Sequence, residues 1–173
     1  MKKRLLSGLF AISLLGLTIT ACDKVETTDA EANETAASSE VILEDFGGNP
    51  LVINIEDYTL ENDNFRTAIW TGEFLQLTVM SIPVGGEIGL EVHHDIDQFL
   101  RIEEGKGQVY MGDAEDNLDF TQVVDDDFAV LVPAGKWHNI KNIGDEVLKV
   151  YSIYGPAEHP HGTVHKNIED DVH

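Results

Sequence analysis

A single cysteine, Cys22, stands in the 173 residues, so no intramolecular disulfide can form. The fold must be held by its own core. Cations are scarce: 11 Lys and Arg against 32 Asp and Glu give a formal charge of −21. That balance argues against nucleic acid and anionic membrane surfaces as partners, because both need a basic face. No strong amphipathic helical pattern is present, and no internal repeat of useful length. The uncharged run Leu5 to Ile19 is short for a stable bilayer span.

What that run does fit is a leader. Met1-Lys2-Lys3-Arg4 precedes it, and a basic start before a short apolar stretch describes a secretory signal. Ile19-Thr20-Ala21-Cys22 closes it and resembles a bacterial lipobox. The resemblance implies cleavage before Cys22, lipidation of that thiol, and a membrane contact through the N-terminal lipid in the cell envelope, with the domain on the outer or periplasmic side. An uncleaved anchor, or an ordinary signal with a chance cysteine, are the alternatives. Asp23, just after, favours inner-membrane retention in some Gram-negative bacteria. Residues 23–40, DKVETTDAEANETAASSE, hold no aromatic residue and cannot bury enough surface to offset their ordering entropy. They read as a flexible acidic tether. Loss of residues 1–21 removes three cations, which takes the charge to −24 and leaves 152 residues. The organisation expected is therefore a leader over 1–21, an acylated Cys22 with its tether over 22–40, one domain over 41–166 with its core at 74–154, and an acidic tail over 167–173.

The domain is strand-like throughout. Strands are expected at Leu51–Ile55, Phe65–Trp70, Phe74–Ile82, around Glu91, at Gln98–Glu103, Gly107–Met111, Phe120–Val124, Phe128–Val132, His138–Lys141 and Val147–Tyr154. Asp57–Asn64 reads as a turn or a short helix, and Phe128–Val132 as a fully buried strand. Short strands between Gly, Pro and Asp turns argue for an all-β sandwich or closed barrel. Asp125-Asp126-Asp127 lacks the spacing and glycine of a Ca²⁺ loop and reads as a solvated turn.

Two stretches carry chemistry. In GGEIGLEVHHDIDQFLRIEEG, Gly85 to Gly105, the residues Ile88, Leu90 and Val92 alternate with Glu87, Gly89, Glu91 and His93. Period 2 puts Glu91 and His93 on one face, with Gly89 leaving space beside them. His94–Asp97 has the length of a hairpin loop, which would return Gln98 beside His93. The apolar row Ile88, Leu90, Val92 would need a cover, a second subunit being one candidate. The second stretch, PAGKWHNIKN, makes a tight turn at Pro133-Ala134-Gly135 and then offers His138. A carboxylate, two imidazoles and an amide oxygen are ligands for a hard or borderline divalent metal: Fe²⁺ or Mn²⁺, with Zn²⁺ and Ni²⁺ as alternatives.

These stretches resemble the paired motifs of the cupin superfamily. The first family motif runs Gly, five residues, His-x-His, three or four residues, Glu, six residues, Gly; here Gly85, Glu91, His93, Gln98 and Gly105 keep that spacing, with Glu91 for the first His and Gln98 for the Glu. In the second, Pro133, Gly135, His138 and Asn142 match, and Asp127 replaces the leading Gly. A register through His94 would put Val92, which cannot ligate, in the first position. The resemblance covers residues 56–166, extends to a subfamily of single-domain bacterial cupins, some labelled mannose-6-phosphate isomerase-like, and implies a double-stranded β-helix, or jelly-roll barrel. It implies a mononuclear metal at Glu91, His93, Gln98 and His138 and a small-molecule ligand or substrate.

Three functions compete: a metal-dependent enzyme, such as a sugar isomerase or an Fe-dependent dioxygenase; a metal-free ligand-binding module; and a structural dimeric barrel. Arg101, Lys136 and Lys141 are the only cations in the motif segments, and they form no cluster, which disfavours a sugar phosphate. The segment Tyr154–His165 places His159, His161 and His165 among turn formers. It could fold over the barrel mouth and supply a proton-transfer group, pack on a neighbouring subunit, or simply line the surface.

Overall fold

The computed structural model describes residues 40–171. The expectations for the leader, Cys22 and the tether lie outside them, apart from Glu40, and among the described residues no helix is long and apolar enough to cross a membrane. One short helix, α1 (Ile55–Glu61), precedes ten strands: β1 (Arg66–Thr71), β2 (Gln76–Ile82), β3 (Glu91–Val92), β4 (Asp97–Glu104), β5 (Gly107–Gly112), β6 (Phe120–Val124), β7 (Ala129–Val132), β8 (Trp137–Asn142), β9 (Leu148–Gly155) and β10 (Val164–His165). They form an antiparallel six-stranded sheet, β10-β1-β2-β9-β4-β7, and an antiparallel four-stranded sheet, β3-β8-β5-β6. Two sheets with chain crossing repeatedly between them make the double-stranded β-helix.

The core lies between the sheets. From the six-stranded sheet come Met80, Ile82, Leu100, Ile102, Val130, Val132, Leu148 and Val150; Val109, Val124 and Ile140 face them from the other. The inward face of the larger sheet changes character along the strands. Met80, Val150 and Ile102 lie in register across β2, β9 and β4. One rung on come Thr78, Ser152 and Leu100, and after that Gln76, Tyr154 and Gln98. One end of the barrel is thus apolar and carries the packing. The other is polar, although its side chains are just as buried.

The sheet's outer face is covered by the chain that leads into it. Val41, Leu43, Phe46, Leu51, Ile53 and Ile55 pack with Tyr58 on Ile69, Val79, Leu77 and Tyr151. Leu51–Ile55 is therefore not a ladder strand as expected. Its alternation is real, with Val52 turned to solvent, but period 2 reports which side of an extended chain is buried and not whether a neighbour bonds to it. Acidic Glu56 and Asp57 in the first turn suit the positive end of α1.

One further expectation is corrected. Phe128–Val132 is not fully buried: Val130 and Val132 face the core while Leu131 is 68% exposed, because β7 is an edge strand with one face outward. A 3₁₀ turn at Ile168–Asp170 brings Asp171 back into an ion pair with buried Arg66 and within 3.0 Å of His165 Nδ1.

A candidate metal centre at the polar end of the barrel

Glu91 and His138 face one another across the β3–β8 ladder, where their Cα positions are in register. Both are buried, as is His93. Glu91, His93 and His138 each present a ligand atom within 4.8 Å of the others. Glu91 Oε1 lies 3.2 Å from His138 Nε2 and 3.4 Å from His93 Nε2, and the two rings stand 5.3 Å apart.

The tautomers follow from what surrounds the other nitrogens. His138 Nδ1 is 3.0 Å from the carbonyl of Lys136, which can only accept, so Nδ1 carries a proton there. His93 Nδ1 lies 3.5 Å from Glu158 Oε1, again an acceptor. Both rings turn Nε2 to the Glu91 carboxylate, His138 at hydrogen-bond distance. A proton on Nε2 shared with Glu91, or a cation among the three ligand atoms, would satisfy this arrangement. His93 Nε2 is buried without a hydrogen-bond partner, consistent with a nitrogen made for a cation. A carboxylate and two imidazoles, each backed by an oxygen on its far nitrogen, fit a divalent metal.

Local structure explains how these groups arrive. Gly89 has φ +99, a conformation that costs most residues energy, and a Cβ there would meet nothing within 4 Å. Its role is thus backbone conformation rather than space for a ligand. The same kink breaks the alternation. Ile88, Glu91 and His93 all face inward and Leu90 outward, so Ile88, Leu90 and Val92 do not share the exposed row expected of them. Ile88 is already covered by the protein's own core.

The hairpin expected over His94–Asp97 is also absent. β3 bonds to β8, whereas β4 bonds to β7 and β9 in the other sheet, so the segment crosses between layers. Two bonds pin the crossing to the second motif's turn: Gly135 N donates to the His93 carbonyl at 2.7 Å, and Ala134 N donates to Asp97 Oδ1 at 2.9 Å. Gln98 consequently enters from the opposite sheet. It sits in register with Tyr154, whose ring meets His93 edge-on at 5.8 Å. Its Nε2 donates to Ser152 Oγ at 3.0 Å, and its Oε1 is buried without a partner. The structure thus groups Glu91, His93 and His138 tightly and leaves Gln98 oriented with its oxygen unused.

Asn142 holds the motif together from below, donating to the carbonyls of Ile82 and Glu146 and accepting from Gly144 N. Around the centre lie groups that the motifs did not announce. Burial pushes the Tyr154 phenol up, against the opposing pull of Arg66. Burial works against the charge of Arg66, but Tyr154, Asp171 and Glu91 more than offset it and the guanidinium stays protonated. Glu158 had only the tail's polar character to mark it. That tail is tied down by a reciprocal pair, His159 N to Gln76 Oε1 at 2.9 Å and Gln76 Nε2 to the His159 carbonyl at 2.8 Å. His159 packs edge-on against Tyr154, while His161 is exposed.

Comparison with known proteins decides the family. The cupin-domain family model matches residues 78–154. YrkC of Bacillus subtilis is 49% identical over 143 residues, covering 83% of this chain and 77% of that protein. The chain belongs to the cupin family. Another relative of this cupin is protein L612 of Acanthamoeba polyphaga mimivirus, 38% identical over 114 residues, 65% of this chain and 69% of that one. Among solved structures, BH2720 from Bacillus halodurans is 56% identical, with a TM-score of 0.73 over 74% of this cupin and 97% of its own chain. A Klebsiella pneumoniae protein described as having a double-stranded β-helix domain shares the fold at 14% identity and a TM-score of 0.52, over 67% of this chain and 92% of its own.

Proposed function

We propose that this cupin is a lipid-anchored envelope protein whose barrel holds one divalent metal at Glu91, His93, His138 and Gln98 and binds or transforms a small molecule there. The observation that carries the metal reading is the meeting of two imidazole Nε2 atoms on one carboxylate oxygen, out of water. The unused Gln98 Oε1 supports it as a fourth ligand. Two imidazoles with oxygen donors suit Fe²⁺ or Mn²⁺, with Zn²⁺ and Ni²⁺ as alternatives. Such an ion would supply Lewis acidity, polarising a carbonyl or activating a bound water. The protein's own share is orientation. Lys136 and Glu158 set the two rings, and the apolar end of the barrel excludes water behind them. The anchor rests on the leader and the Ile19-Thr20-Ala21-Cys22 run.

Elemental analysis of the full chain, purified in mild detergent, tests the centre. About one equivalent of Fe, Mn, Ni or Zn is expected, and none in a folded His93→Ala/His138→Ala variant. No metal after reconstitution with each ion would sink the reading. The same cells test the anchor: Cys22→Ser is expected to leave the membrane fraction, and equal membrane recovery of both forms would refute lipidation there.

A further inference from the structure

The larger sheet ends at β7, which pairs with β4 alone, and the smaller sheet ends at β6, which pairs with β5 alone. No ladder joins the two edges. An antiparallel edge strand turns the amide and carbonyl of every second residue outward, without a strand partner. Edge strands are commonly blunted by a charged residue or a proline. Neither stands in β7, which reads Ala129-Val130-Leu131-Val132, and its most exposed large side chain, Leu131, is apolar.

Apolar cavities flank β7 on both faces. One, about 330 Å³, opens between the two sheet edges and is lined by Val109, Met111, Phe120, Phe128 and Leu131. The other, about 560 Å³, lies on the outer face of the larger sheet against Leu75, Phe99, Leu131, Pro133 and Ile153. Side chains of a strand alternate between faces. A strand laid beside β7 would therefore send successive side chains into the two cavities in turn, while its backbone met the free edge. A small apolar molecule would fill one cavity and leave the edge unpaired.

Charge narrows the choice of strand. Asp125, Asp126 and Asp127 run directly up to Phe128. Beside them a third cavity, about 510 Å³, is lined by Glu103, Glu104, Asp125, Asp126, Asp145 and Glu146, with Lys106 the one cation among its lining residues. Arg101, on the neighbouring β4, is already paired with Glu103 and Asp127. An apolar run with basic residues at its ends matches the apolar edge and the acidic turn together. A second copy of the chain fits less well. It would bring β7 itself, whose Val130 and Val132 are already buried in their own core, and a net charge of the same sign.

We propose that the β7 edge is a docking surface for an extended segment of another protein, apolar over about five residues and basic at its ends, which adds a strand to the larger sheet. Its alternate side chains fill the cavities on the two faces of β7, and its cations meet Asp125, Asp126 and Asp127. Neither cavity is lined by Glu91, His93 or His138, so the docking edge and the metal centre can fail separately.

The test is fluorescence anisotropy of a labelled peptide, five alternating valines and leucines flanked by two lysines at each end, titrated with the full chain in mild neutral detergent. Saturable binding above the detergent blank is expected. Glutamates in place of the lysines should weaken it about tenfold, as should a central proline, which removes a ladder donor. Leu131→Lys charges the edge at an exposed position and should also cost about tenfold, with thermal unfolding unchanged. Phe120→Ser supplies the same readout if that variant does not fold. Absence of saturable binding, or wild-type affinity in both variants, would overturn the docking edge. Equal binding of the glutamate peptide would refute the basic ends, and equal binding of the proline peptide the added strand. Sedimentation in density-matched detergent tests the other occupant. A dimer that Leu131→Lys separates would assign the edge to a second copy and overturn the partner; the same mass in both forms supports an edge left free for the peptide.

Discussion

Removing the Glu158 carboxylate should weaken metal binding without loosening the fold. Glu158 Oε1 lies 3.5 Å from His93 Nδ1, and His93 Nε2 lies 3.4 Å from Glu91 Oε1, so the ring is held between two carboxylates. A carboxylate behind a metal-bound imidazole fixes its tautomer and raises its basicity. Losing such a partner costs 10- to 100-fold in metal affinity, or about 1.4–2.7 kcal/mol. The Glu158 side chain is 23% exposed, so solvent screens part of its charge and the lower end, about tenfold, is expected. Glu158→Gln keeps an oxygen that can accept and should lose less than Glu158→Ala. Competition between the protein and a chelator for Zn²⁺ gives the affinities, and thermal unfolding of metal-free protein gives the control. Zn²⁺ affinity unchanged within twofold in Glu158→Ala, while His93→Ala abolishes binding, would refute the argument that Glu158 orients the ring.

Two further expectations concern the frame around the site. Asp45 accepts from Gly47 N and Gly162 N at 2.9 Å and from Thr71 Oγ1 at 2.5 Å; burial opposes its charge, but these bonds and His161 hold its carboxyl below the usual value. A carboxyl depressed by folding stabilises above the unfolded value of about 3.9, and that contribution is lost as pH falls through the folded value. Asp45→Asn should therefore be less stable than wild type at neutral pH and converge with it below about pH 4; parallel acid-unfolding curves would count against this. Gly89→Ala and Gly105→Ala both place a side chain at positive φ, but only at Gly105 would the Cβ meet backbone, 2.8 Å from the Val147 carbonyl oxygen. Gly105→Ala should lower the melting temperature more, and Gly89→Ala should show itself chiefly as lost metal, since it displaces Glu91. The reverse order in calorimetry and metal content would contradict that assignment.

The amino-acid sequence alone determined a good part of this protein. Glycine and proline punctuation with short alternating runs gave an all-β barrel, because side-chain period and turn chemistry are local properties. The spacing of Glu91, His93 and His138 marked the metal candidates for the same reason, each lying a fixed number of residues from a turn. Only tertiary structure decided which partners meet. Alternation showed that Glu91–His93 and Gln98–Leu100 each bury one face, but not that the chain crosses to the other sheet at His94, since a hairpin and a crossing bury the same residues. Gly89 reversed the phase of the run through its backbone angle, which no hydrophobic pattern reports. Arg66 and Asp171 meet across 105 residues, and Tyr154 and Glu158 reach His93 only because β9 lies beside β4 and the tail folds back on β2. Pairing at that range is settled by the packing of whole sheets, which no stretch of sequence contains by itself.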